Sequence, residues 1–122
     1  MPKDSRSSGR RGEDLACKFL KKDKYKILEK NFSCRQGEID IIAEDRKGVL
    51  CFVEVKARSR QDYGLPIEAV THSKQKKLLA TAFIYLETNK MESKDMRFDI
   101  VSVDLISEEA QIIKNAFDVN YY

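Results

Sequence analysis

β-Branched and aromatic residues dominate two neighbouring stretches of the chain, 37–44 and 49–56. This composition favours β-strands, in which successive side chains point to opposite faces of a sheet. In both stretches one alternating set of positions is wholly apolar, while the other set contains charged residues. The polar segment 45–48 lies between them and is typical of a tight turn. The pattern therefore predicts a β-hairpin with one apolar face and one partly charged face.

The charged face brings acids together only if the turn has the right length. A three-residue turn formed by 46–48, with Gly48 in the left-handed conformation, places Asp40 directly opposite Glu54, with Lys56 two residues further along the same face. A two-residue turn would put Asp40 and Glu54 on opposite faces of the sheet. The predicted convergence of the two carboxylates thus depends on this turn.

Two opposed carboxylates require a compensating positive charge. Their Cβ atoms lie roughly 5 Å apart across a sheet, where like charges repel by about 3 kcal/mol. A hard divalent cation such as Mg²⁺ would offset this repulsion, because it takes carboxylate oxygens as ligands. The alternative is a salt-bridged cluster in which Lys56 neutralises Glu38 or Glu54. The acids outnumber the lysine on this face, which favours the ion.

Helices and further strands are predicted around the hairpin. Apolar residues recur at helical spacing over 12–22, and Glu13 is expected in the first turn, where the helix dipole favours an acid. The other predicted elements are strands over 25–33, 97–103 and 109–114, a loop over 58–66, and a helix from a Ser73 cap to about Thr88. This order predicts an α/β fold with a mixed central β-sheet flanked by helices, in the order α-β-β-β-α-β-β.

Length and composition indicate one domain of ordinary globular type. With 122 residues, we expect a flexible tail over 1–8, a single domain over 9–117 and a tail over 118–122. A net charge of +3 permits a nucleic-acid partner without requiring one. No apolar run approaches the length of a membrane span, and no hydrophobic leader is visible, so a cytoplasmic protein without membrane contact is expected. Three cysteines without a C-x-x-C pattern argue against a disulfide framework or a thiolate zinc site.

Four motifs resemble a known family. They are G-R-R-G-E-D-L-A at 9–16, G-E-I-D-I-I-A at 37–43, F-V-E-V-K-A-R at 52–58 and R-F-D-I-V at 97–101. In this order they are similar to the YraN family, which itself resembles archaeal Holliday-junction resolvases. Asp40 followed by Glu54-Val55-Lys56 also resembles the D…E-x-K signature of the PD-(D/E)XK nuclease superfamily. The resemblance covers the chain from Gly9 to about Phe117 and implies a restriction-endonuclease-like core.

The resemblance also implies an activity and its residues. It implies a DNA endonuclease dependent on Mg²⁺ or Mn²⁺, with branched DNA as one substrate class and a homodimer as the form that cuts junctions. Asp40 and Glu54 would bind the ion with the Val55 carbonyl and with Glu13, and Lys56 would orient the attacking water or stabilise the transition state.

One departure from the superfamily pattern keeps other functions open. Ile39 stands where the superfamily motif has a proline. A non-catalytic nucleic-acid-binding or DNA-repair accessory module, or a protein-interaction scaffold, is therefore an alternative to the nuclease. Glu38 either extends the site or pairs with Lys56, and the pairing is the preferred interpretation.

Basic residues near the acidic face are predicted to bind DNA phosphates without reading bases. They are Arg10, Arg11, Arg58, Arg60, Lys74, Lys76 and Lys77. The three lysines crowd the start of a helix, where cations oppose the dipole unless an anionic partner is bound. Gln75 matches the position of a helix glutamine found in several branches of the superfamily and is predicted to contact phosphate or to support the site. Asp99 is expected to form a structural pair with Arg97.

Overall fold

A five-stranded mixed β-sheet forms the centre of the protein. The computed structural model describes residues 5–59 and 70–117, so Arg60 and most of the predicted loop over 58–66 lie outside the described residues. The described elements are α1 (Ser5–Lys22), β1 (Lys26–Cys34), β2 (Gly37–Glu44), β3 (Leu50–Arg58), α2 (His72–Thr88), β4 (Met96–Asp104) and β5 (Ala110–Ile113). The predicted mixed α/β fold class and the order α-β-β-β-α-β-β are confirmed.

The strands lie in the sheet in the order of the chain, β1-β2-β3-β4-β5. Strands β1, β2 and β3 are antiparallel to one another, as are β4 and β5. Strands β3 and β4 are parallel, because the chain between them returns through α2. Neither helix in the described ranges is long and apolar enough to cross a membrane.

Each face of the sheet is covered by one helix. On one face, α1 buries Ala16, Cys17 and Leu20 against Ile41, Ala43, Cys51, Val53, Val101 and Val103. On the other, α2 buries Leu78, Ala82, Tyr85 and Leu86 against Ile42, Leu50, Phe52, Phe98 and Ile100. Because side chains alternate along a strand, the face that carries Leu50 and Phe52 also carries Glu54. Helix α2 therefore covers the face on which the acidic pair was predicted.

Helix α1 begins at Ser5, earlier than the predicted start at residue 12. Arg10 and Arg11 therefore lie within the helix. The expectation that Glu13 lies in the first turn is wrong, since that turn contains no acid. Gly12 resembles a helix boundary in the sequence, but it has a packing role. A Cβ atom at Gly12 would lie 2.5 Å from the Cβ atom of Ala57, so the glycine allows α1 to approach β3 closely.

Arg97 connects the start of β4 to the hairpin turn. Its Nε donates a hydrogen bond to Asp99 Oδ1 at 3.0 Å, and its Nη1 donates to Asp45 Oδ2 at 2.7 Å. The Tyr25 hydroxyl accepts a third bond from Nη2 at 2.8 Å. Asp99 is buried and also accepts the backbone N–H of Asn115 at 2.9 Å. The predicted structural pair of Asp99 with Arg97 is thus confirmed.

The close contact at Gly12 predicts opposite effects for two glycine substitutions in α1. Gly12→Ala should lower the free energy of unfolding by about 1–3 kcal/mol, because the added methyl group overlaps Ala57. Gly9→Ala should raise it by up to about 1 kcal/mol, since a Cβ atom there meets nothing within 4 Å and alanine favours the helix. Urea-induced unfolding of both variants measures the difference. Equal stabilities would contradict the proposed packing of α1 on β3.

Candidate active site

The hairpin turn has the length that brings the two acids face to face. Asp45 N–H donates to Val49 O at 3.0 Å, and Gly48 N–H donates to Asp45 O at 3.1 Å. Gly48 has a φ of +85°, as a three-residue turn requires. Ile41 pairs with Val53 in the resulting register. The predicted turn is confirmed. Asp40 and Glu54 directly adjoin the Ile41–Val53 pair, each on its own strand.

Asp40 and Glu54 interact directly. Their carboxyl groups share a side-chain hydrogen bond, and Asp40 Oδ2 also accepts the backbone N–H of Val55 at 2.8 Å. Glu54 is only 7% exposed. Burial, the hydrogen bond to Glu54 and the charge of Glu54 together raise the pKa of Asp40 to about 8. The pair therefore shares one proton at neutral pH in the absence of a cation.

Two lysines compensate the charge that remains on Glu54. Lys74 Nζ forms an ion pair with Glu54 Oε2, and Lys56 Nζ lies 3.9 Å from the same oxygen. Burial alone would raise the pKa of Glu54, but its interactions with Asp40 and Lys74 and the charges of both lysines lower it. Burial and the neighbouring Lys74 lower the pKa of Lys56, against the opposing effect of Glu54.

The preferred pairing of Glu38 with Lys56 is wrong. Glu38 is exposed, and no ion pair joins it to Lys56 in the described parts of the chain. Lys56 instead lies beside Glu54, two residues away on the same face of β3. Glu54 is buried and Glu38 is exposed, so water screens an ion pair with Glu54 less than one with Glu38.

Glu13 interacts with a residue that the sequence analysis did not single out. Its carboxylate accepts a hydrogen bond from the side chain of Asn31, which lowers a pKa that burial raises. Asn31 has a φ of +55° and lies between Lys30 and Phe32, whose partners on β2 flank Asp40. Asparagine is a poor strand former that tolerates a left-handed backbone, so its presence in a predicted strand is the signal that was available.

The structure does not bring Glu13 into contact with the acidic pair. Within 5–59 and 70–117, no three residues among histidine, cysteine, aspartate and glutamate lie close enough to hold one ion. Glu13 acts on the pair at longer range, where its charge contributes to the raised pKa of Asp40.

The start of α2 determines where Lys74 lies. The predicted Ser73 cap is wrong: Thr71 caps the helix, and its Oγ1 accepts the backbone N–H of Lys74 at 3.2 Å. This places Lys74 in the first turn, over Glu54. Gln75 Nε2 donates to Val70 O at 3.1 Å, so this amide holds the segment that precedes the helix.

The remaining basic residues are divided between the two faces of the sheet. Lys76 and Lys77 are exposed at the start of α2, whereas Arg10 is exposed on α1. Arg11 forms an ion pair with Glu108 at 2.9 Å. Arg58 ends β3 and is half-buried. Of the predicted phosphate contacts, Lys74 contacts the acidic pair through Glu54.

The site has the chemical character of a hard-cation site. The half-buried Asp40 interacts with the buried Glu54, and Glu54 Oε2 accepts no hydrogen bond of regular geometry from the described residues. Mg²⁺ commonly binds proteins through one or two carboxylates and completes its coordination with water or phosphate oxygens. Asp40 and Glu54 therefore fit such an ion without a third acid.

These features define a class: a mixed α/β protein with a largely inaccessible pair of acids, Asp40 and Glu54, beside two lysines on its central sheet. The chain belongs to the Uncharacterised protein family UPF0102, whose family model matches residues 12–103. This finding confirms the resemblance to the YraN family, since YraN proteins belong to UPF0102.

Relatives from several bacteria are similar along almost their entire length. A UPF0102 protein of Clostridium perfringens is 45% identical over 123 residues, which cover 98% of this chain and 100% of the relative. One from Persephonella marina is 44% identical, over 93% of this chain and 95% of the relative. A solved structure of Pyrococcus furiosus SfsA in complex with Ca²⁺ is 15% identical with a TM-score of 0.34, over 91% of this chain and 62% of that chain.

The shared proton predicts an unusual pH dependence of stability in metal-free buffer. The folded pKa of Asp40, about 8, exceeds its ordinary value of 3.8, so the folded state binds more protons between these values. Asp40 therefore stabilises the fold fully at low pH, and this contribution is lost as pH rises towards 8. Relative to Asp40→Asn, wild-type stability should fall by about 1 kcal/mol per pH unit between about pH 5 and 7.

Urea-induced unfolding in the presence of EDTA measures this dependence. The opposite contribution of Glu54, whose pKa is lowered from 4.5, is confined to more acidic pH. Asp95→Asn, at an exposed acid, is the matched control and should give a profile parallel to that of the wild type. Parallel profiles for wild type and Asp40→Asn would show that the pair does not hold a proton.

Proposed function

We propose that this protein is a metal-dependent endonuclease that hydrolyses phosphodiester bonds in DNA, including branched DNA. The observation that supports this function best is the direct contact of Asp40 with Glu54, with Lys56 beside them. The same three residues form the part of the sequence that resembles the D…E-x-K signature of PD-(D/E)XK nucleases. Geometry and resemblance thus favour the same reaction.

Asp40, Glu54 and the Val55 carbonyl would bind Mg²⁺ or Mn²⁺ in this proposal. Such an ion supplies Lewis-acid activation of water and neutralises charge that develops on the phosphate. Asp40 must lose its proton before it can act as a ligand, and its hydrogen bond from Val55 N–H fixes the orientation of the carboxylate. Glu13 would tune the pair by its charge, from the position that its bond to Asn31 gives it.

Lys56 would act on the reacting phosphate. Its ammonium group is partly buried and lies on the same face as the acidic pair, so it can orient the nucleophile or stabilise negative charge in the transition state. The exposed Lys76 and Lys77 would bind the DNA backbone, with an affinity that falls steeply with salt. Arg10, Arg11, Arg58, Arg60 and Gln75 are proposed as further DNA contacts, and a homodimer as the form that acts on junctions.

A second candidate function follows from the ion pairs. The ammonium groups of Lys74 and Lys56 by themselves compensate the negative charge of Glu54. This arrangement is typical of a structural ion-pair cluster. This observation favours a nucleic-acid-binding module, with a role in DNA repair, that keeps the nuclease fold without hydrolysis.

Cleavage assays distinguish the two functions. With Mg²⁺ or Mn²⁺, the wild type should cut branched or linear DNA, and EDTA should abolish cleavage. Glu54→Gln should reduce the cleavage rate by about 100-fold or more, because it removes an ionic ligand and charge from the site. Glu92→Gln, at an exposed acid of the connection between α2 and β4, is the matched control and should cleave like the wild type.

Two results of the cleavage assay would contradict the proposed nuclease. Salt-sensitive DNA binding without cleavage, unchanged by EDTA and by Glu54→Gln, would support the binding module and exclude the nuclease. Cleavage that survives both EDTA and Glu54→Gln would show that the activity resides elsewhere or in a contaminant.

A further inference from the structure

Lys74 contacts the carboxylate oxygen that the proposed function assigns to the metal ion. Its Nζ is paired with Glu54 Oε2, and its side chain is 39% exposed while that of Glu54 is 8% exposed. The lysine therefore reaches from the rim of the site onto a buried acid. An ammonium group and a divalent cation that contacted this oxygen at the same time would repel each other strongly.

The position of Lys74 in α2 is unfavourable for the helix itself. The first turn of α2 contains no acidic residue, and lysines there face the positive end of the helix dipole. The N–H of Lys74 is satisfied by Thr71, so the side chain does not contribute to capping. The contact with Glu54 therefore offsets the unfavourable position of Lys74 in the helix.

The contact is also replaceable. Glu54 Oε2 is buried but accepts no hydrogen bond of regular geometry from the described residues, so its interaction with Lys74 is mainly one of charge. A divalent cation provides twice the charge of an ammonium group at the same oxygen. The partly exposed stem of Lys74 leaves the ammonium group a short path into solvent, towards any bound phosphate.

We propose that Lys74 is an internal counter-ion, which neutralises Glu54 in the metal-free protein and is displaced when the metal ion binds. Lys74 thereby lowers the affinity for the metal ion, and its displaced ammonium group becomes available to a DNA phosphate beside the one on which Lys56 acts. This inference rests on the proposed function, because it takes Glu54 as a metal ligand.

Removal of the positive charge at position 74 should strengthen metal binding. In water, a single charge and a divalent cation about 5 Å apart repel strongly enough to change the affinity by about tenfold or more. Removal of the Lys74 charge would also strengthen proton binding by the acidic pair, and that proton competes with the metal ion. Because a proton carries half the charge of the ion, its binding free energy improves by half as much. The metal ion therefore retains a net advantage.

Titration of the intact protein with Mn²⁺, in the absence of DNA, tests the proposal by calorimetry and by thermal unfolding. Lys74→Gln should bind Mn²⁺ about tenfold more tightly than the wild type. Without metal it should have a lower Tm, since Glu54 loses a partner, but its rise in Tm on addition of Mn²⁺ should exceed that of the wild type. A purely structural lysine would produce the lower Tm alone.

Matched variants isolate the contribution of position 74. Lys18→Gln removes the same charge from an exposed position on α1, on the other face of the sheet, and should bind Mn²⁺ like the wild type. Lys74→Arg keeps the charge and should also remain near the wild-type affinity. Lys74→Met, which removes the charge but keeps the apolar stem, replaces Lys74→Gln if the latter does not fold.

The outcomes separate this inference from the function on which it rests. Binding of Mn²⁺ by the wild type, with equal or weaker binding by Lys74→Gln and Lys74→Met, would overturn the role of Lys74 alone. Absence of Mn²⁺ binding by the wild type and by both variants would overturn the metal-dependent function, and the counter-ion role with it.

Discussion

The length of one hairpin turn determines the chemistry of this protein. A slip of one residue would move Asp40 and Glu54 to opposite faces of the sheet and separate them by a layer of backbone. The three residues 46–48 prevent this slip, and the Asp45 carboxylate strengthens the turn by accepting backbone N–H groups within it. Arg97 then attaches Asp45 to β4. A cluster at one end of the strands thus secures the register on which the acidic pair depends.

The acidic pair is assembled from separate layers of the fold. Strands β2 and β3 carry Asp40 and Glu54, respectively. Helix α2 packs on the sheet and carries Lys74, which contacts Glu54. Such a pair is unfavourable in isolation, because burial penalises both ionised carboxylates. A shared proton and two ammonium groups resolve the conflict in the metal-free protein. In the metal-free protein the site is therefore a balance between two acids, one proton and two ammonium groups.

The sequence predicts the hairpin, its register and the meeting of Asp40 with Glu54, because alternation and turn length act over a few neighbouring residues. The sequence does not predict side-chain contacts that depend on how a helix packs on the sheet. Gly12 resembles the end of a helix until β3 is seen to lie against it, and the contact of Lys74 with Glu54 depends on how α2 crosses the sheet. The role of Asn31 likewise emerges only when α1 brings an acid beside β1.

Strand β1 has a neighbour on one side only among the described elements, so its outer edge carries unpaired backbone groups. A bulge between Ile27 and Glu29 and the left-handed backbone of Asn31 interrupt that edge, and the exposed Lys26 and Lys30 place charge along it. These are the features by which natural proteins discourage edge-to-edge strand addition. These features therefore disfavour a dimer in which two copies of this chain continue their sheets through β1.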